Sequence, residues 1–240
     1  MVGVMTTLRP YQVDLYQRTR AAAVELRRAS PDKPAAVLLV LPTGGGKTAI
    51  AGELIRVTTS KGGKTLVLAH RRELIDQMWL RLHEAGVEAG VIMAGRTARP
   101  DLPVQVASKD TITARGCAPD GIDLIVVDEA HHAAAHDYRL ILGAYPKAKS
   151  ILGLTATPER SDGTTMSPPF DRIVVACQIS DLMRDGWLLP CGADDVHRPK
   201  LKDPDRPKPQ KELSQHPVDA YLEHASGERC VCFTMGIKEA

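Results

Sequence analysis

The run "AAVLLVLPTGGGKTAI" (residues 35–50) joins seven apolar residues to an amphipathic segment through a glycine triplet. An unbroken apolar run suits a strand buried on both faces. Beyond the glycines, Ile50, Leu54 and Val57 recur at helical spacing. Glycine weakens the interior of either element, so three at the join need another reason. Backbone N–H groups that converge at a helix amino end form a cradle for phosphate. In such a cradle Lys47 reaches the β- and γ-phosphates and the Thr48 hydroxyl ligates magnesium. The strict pattern has glycine at position 41, where this chain has Leu41, so a turn that binds nothing remains the alternative at this point.

Outward from this join the pattern repeats. "KTLVLA" (64–69), "PVQVAS" (103–108), "DLIVVDE" (123–129) and "SILGLT" (150–155) are further short apolar runs, read as buried parallel strands. Between them "RRELIDQMWLRLHEAG" sets Leu74, Ile75, Met78 and Leu82 on one helical face, with Gly86 as a stop. Alternating strands and helices predict a doubly wound α/β domain. Aliphatic residues outweigh aromatics, which make up 4% of the 240 residues, and this favours an α/β interior over a sandwich.

A formal net charge of +2 gives no compositional case for nucleic-acid or membrane binding, so any such contact must come from local patches. Five cysteines, odd in number and irregularly spaced, predict reduced thiols and a cytoplasmic protein. Cys230 and Cys232 have no second pair nearby to complete a zinc site. No secretory leader or membrane-spanning run is expected.

The second decisive stretch is "LIVVDEAHH" (124–132), a buried strand ending in two carboxylates at the edge where such sheets bind ligands. Asp128 there would hold magnesium through water, and Glu129 would orient and deprotonate the attacking water. Acidic residues also suit the first turn of a helix, but the lysine-bearing loop argues against that lesser role. Glu129, His131, His132 and His136 compete as zinc ligands, yet the glutamate precedes both histidines of the helical pair His132 and His136 instead of lying between them.

Taken in order, these motifs resemble the superfamily 2 helicases and translocases of the DEAD/DEAH-box group, and within it the type III restriction subunits and RadD-like proteins. The resemblance rests on "LRPYQ", "PTGGGKT", "LAHRREL", "VASKDTI", "DEAH" and "LTATPERSDG", with "LMRDGWLLP" as the segment that closes the first domain. It implies an ATP site formed by Arg9, Gln12, Thr43, Gly44, Gly45, Gly46, Lys47 and Thr48, with Gln12 reading the base. It implies catalysis by Lys47, Asp128 and Glu129, with magnesium on Thr48 and Asp128. His131, Thr155 and Thr157 would couple the ATP site to nucleic acid, gripped by His70, Arg71, Ser108 and Lys109. These last four follow strand ends and suit phosphate contacts that read no sequence. For Arg71 the plain alternative is a solvated helix start, and for Trp79 and Trp187 core packing outweighs base stacking.

The resemblance implies a RecA-like P-loop NTPase domain over 1–195, with a mainly parallel sheet flanked by helices. A Pro/Lys-rich linker would follow over 196–217, then the stub of a second RecA-like domain over 218–240. The second domain of such motors supplies an arginine finger, worth about 10³–10⁵ in rate. The expectation is therefore the motor domain of an ATP-dependent DNA helicase or translocase, weak or inactive by itself, using ATP and Mg²⁺, with DNA favoured over RNA. A partner chain carrying the second motor domain is a further expected partner. The alternatives are a non-catalytic ATP- or nucleic-acid-binding module and half of a split motor. A DNA-packaging ATPase shares the acidic pair but not "LRPYQ" or "LTATP".

Overall fold

A computed structural model describes residues 8–97, 99–115, 119–133, 136–157 and 168–189. All of these fall within one compact unit that ends at Leu189. The linker and second-domain boundaries expected after residue 195 lie outside the described residues.

The elements run α1 (Pro10–Ala29), β1 (Ala35–Val40), α2 (Lys47–Ser60), β2 (Lys64–Ala69), α3 (Arg72–Glu84), β3 (Ala89–Ile92) and β4 (Val104–Ser108). They continue with α4 (Lys109–Arg115), β5 (Ile122–Val127), a 3₁₀ turn (Ala130–His132), α5 (His136–Gly143), β6 (Ser150–Thr155), β7 (Arg172–Val175) and α6 (Ile179–Arg184). All five expected strands form. The seven pair in the order β3-β4-β2-β5-β6-β1-β7, every pair parallel. Because β1 is inserted between β6 and β7, the ends of β1, β5 and β6 meet at one place on the carboxyl edge.

The central strands are buried almost throughout because helices cover both faces, and β1 is apolar at every residue. Val37 and Leu39 join Ile50, Ile55, Ile75 and Met78 in one core layer, while Ala36, Leu38 and Val40 join Tyr138 and Phe170 in the other. The period-two alternation of β1 thus splits one apolar run between two cores. On α3, Ile75, Met78 and Leu82 are buried as the spacing predicts, and the chain turns at Gly86, whose N–H bonds His83 O at 3.0 Å. Among the described residues no helix is long and apolar enough to cross a membrane.

Candidate nucleotide and nucleic-acid site

β1 ends at Val40, and the chain needs six residues to reverse into α2 at Lys47. Gly44 and Gly46 take φ of +81° and +87°, in the left-handed region that side chains resist. A Cβ on Gly46 would collide with the Gln12 amide. Lys47 lies inside the curve, its Nζ donating to Leu41 O at 3.2 Å. Burial pushes its ammonium below the ordinary lysine range, partly offset by Glu129 and Asp128.

Those two carboxylates follow β5, whose neighbours in the sheet are β2 and β6. Burial raises the Asp128 carboxyl above its usual range, against a bond from the Glu129 N–H at 3.0 Å and the nearby Lys47 charge. A buried carboxylate held charged at a cost is suited to a cation, and Thr48 adds a second hard oxygen donor. These two donors fit magnesium completed by phosphate and water. No group of three or more His, Cys, Asp or Glu side chains stands ready to hold a metal among the described residues.

From Glu129 a line of polar contacts leads to β6. Glu129 Oε2 lies 3.3 Å from His131 Nδ1, which is 3.5 Å from the Thr155 hydroxyl. That hydroxyl donates to Thr157 O at 3.0 Å, and the Thr157 N–H lies 3.2 Å from it. Thr155 O in turn accepts from Leu41 N–H at 3.0 Å, at the root of the glycine loop.

The base side is built by α1. Gln12 is buried, its Nε2 donating to Gly45 O at 3.1 Å and to the Tyr11 hydroxyl at 3.2 Å, while Oε1 accepts from Arg9 N at 2.9 Å. Tyr11 also donates to Gly45 O at 2.8 Å. Sequence reasoning did not name Tyr11, although it lies inside the quoted motif. The Arg9 guanidinium lies over the Trp187 ring, 5.1 Å from its centroid.

The four residues expected to grip nucleic acid are placed unequally. Arg71 is exposed at the cap of α3. His70 turns toward the acidic motif, its ring 5.0 Å from that of His132, and its buried Nδ1 has no hydrogen-bond partner among the described residues. Ser108 is buried, and its hydroxyl lies 3.5 Å from the Thr111 N–H. Lys109 is 17% exposed and pairs with Asp110 at 2.7 Å and Asp137 at 3.0 Å, which raise its ammonium above the usual lysine range. Asp137 had no role in the sequence reading, because only the packing of α5 beside α4 brings it there.

Three comparisons bear on the whole. The family described as type III restriction enzyme, res subunit, matches residues 5–160. The chain is 34% identical over 167 residues to the type I restriction enzyme EcoAI endonuclease subunit of Escherichia coli, covering 64% of this chain and 20% of that protein. It is 29% identical over 127 residues to the DNA 3'-5' translocase XPB2 of Sulfurisphaera tokodaii, covering 52% and 28%. Among solved structures, the Pyrococcus furiosus Hef helicase domain superposes with a TM-score of 0.56 at 26% identity, over 74% of this chain and 40% of that one. The chain spans between 18% and 43% of the length of the curated relatives it matches.

Proposed function

This chain belongs to the type III restriction enzyme res-subunit family and carries the amino-terminal motor domain of a superfamily 2 helicase, and from that premise we propose that it binds MgATP and couples its hydrolysis to DNA. The observation that carries the reading is the continuous polar line from Glu129 through His131 to Thr155 and Thr157, which starts beside the lysine of the loop.

In this reading the loop N–H groups and the amino end of α2 bind the triphosphate, and Lys47 neutralises charge on its terminal oxygens. Thr48 and Asp128 would hold magnesium, which supplies charge stabilisation on the β- and γ-oxygens when bound. Glu129 orients a water for attack on the γ-phosphorus and takes its proton as the bond to the β-phosphate oxygen breaks. His131 and Thr155 pass the resulting change in the Glu129 contacts to the segment after β6.

DNA as the polymer is supported by the named activity of the Sulfurisphaera tokodaii relative. Slow turnover by the 240-residue chain alone is proposed because one RecA-like domain forms one wall of such a site. A second reading, a nucleotide-binding module without a motor's grip, is favoured by one observation: Lys109 is already neutralised by two carboxylates.

The test is ATP hydrolysis with and without single-stranded DNA or RNA, beside Glu129→Gln. Turnover stimulated by DNA and lost in Glu129→Gln supports the motor. Bound nucleotide without any stimulated turnover favours the module, and stimulation by RNA alone overturns the choice of polymer.

A further inference from the structure

The segment that closes the described domain folds back onto the glycine loop. After α6 the Gly186 N–H bonds Met183 O at 3.1 Å, and the Trp187 N–H reaches Leu182 O at 2.8 Å, a paired cap that needs the left-handed φ of +73° at Gly186. This reversal sets Trp187 beside the amino-terminal motif. The Tyr11 ring lies 5.8 Å away, the Arg9 guanidinium covers the indole, and Arg9 Nη1 lies 3.5 Å from Trp187 O. The next residue touches the loop itself: Leu188 Cδ2 lies 3.0 Å from where a Cβ on Gly44 would stand.

Trp187 remains 38% exposed, so core burial does not explain its position, and its ring partners are Arg9 and Tyr11. Gln12, meanwhile, has both amide hydrogens and one lone pair committed inside the chain, which leaves little with which to recognise a base edge. An arginine in solvent loses rotamer freedom on being fixed. One already stacked on an indole has lost much of that before a ligand arrives.

We propose that Trp187 is a positioning residue for the base side of the nucleotide site. It holds the Arg9 guanidinium as a plate beside the glycine loop. The inference rests on the reading of the loop as a triphosphate cradle. Purine nucleotides are the ligand class, recognised by stacking more than by their edges.

The test uses the full chain with Trp79→Phe, which leaves Trp187 as its single tryptophan. Mg²⁺ADP is compared with inorganic tripolyphosphate, which has no base. ADP is expected to change Trp187 emission saturably, whereas tripolyphosphate binds in calorimetry with little change. Trp187→Ala should weaken ADP about tenfold while tripolyphosphate affinity stays within about twofold, and Trp187→Phe should restore most of the loss. Equal weakening of both ligands would make Trp187 packing for the loop, and an unmoved ADP affinity would leave it without a role; either result overturns the proposal. If the chain binds neither ligand, the triphosphate reading itself falls and takes this inference with it.

Discussion

Asp128 is a carboxylate kept at a cost, and its pKa direction states how that cost varies with pH. Its folded value lies above the ordinary 3.8 because of burial, so between the two values the folded state holds more protons than the unfolded one. Its contribution to stability therefore falls as pH rises through that window and stays unfavourable above it. Asp128→Asn should raise the melting temperature of the nucleotide-free protein at neutral pH, by on the order of 1 kcal/mol in stability, and that gain should vanish as pH falls below the ordinary carboxyl range. The same variant should lose the magnesium dependence of ATP binding, checked by calorimetry with and without Mg²⁺. Lys47 has the complementary position: burial lowers its pKa, so its charge is lost at a lower pH than that of an exposed lysine. MgATP affinity should decline as pH rises toward that lowered value, and Lys47→Ala should abolish binding at every pH; unchanged affinity in the variant would remove Lys47 from the site. Glu129 adds strain to this cost, since it holds a φ of +49° where a side chain is disfavoured by about 1–2 kcal/mol.

At the level of elements, β6 tolerates almost nothing at its fourth residue. A Cβ on Gly153 would run into the Phe170 ring and lie 2.9 Å from Ala130 Cβ. Gly153→Ala should destabilise by about 2 kcal/mol in urea unfolding, and Phe170→Leu in the same chain should recover part of it. A destabilisation equal in both backgrounds would show that the two side chains do not compete for that space. The five central strands were legible because helices on both faces bury nearly every residue, which leaves each strand mostly apolar. The edge strands β3 and β7 were not: each has four residues, and three of the four in β7 are exposed, so its short run of Ile173, Val174 and Val175 follows no burial pattern. The long helix α1 was also missed. It buries only Gln12, Leu15, Thr19 and Ala22, a stripe half polar, and it is held by packing on β1 more than by its own pattern.

Across the molecule the two proposed halves of the site share one sheet edge, and charge decides which of the outer residues can meet a polymer. Arg71 is exposed, whereas Lys109 is already paired with Asp110 and Asp137. Arg71→Ala should reduce the salt slope of DNA binding by about one, while Lys109→Ala leaves it nearly unchanged. The reverse pattern would mean that DNA displaces both carboxylates from Lys109. Thr155→Val keeps shape and removes the hydroxyl shared by His131 and Thr157, so DNA stimulation of turnover should fall far more than ATP affinity. Much of this arrangement needed no structure. The glycine loop, the acidic pair and the central strands are local: a backbone conformation, a strand end and a periodicity are each written in a few adjacent residues. Which charges are already spent, why Gln12 is occupied and where Trp187 comes to rest are decided only by tertiary packing. Those contacts join residues as far apart in the chain as Arg9 and Trp187, and pairing energy at that range leaves no mark on the neighbours of either residue.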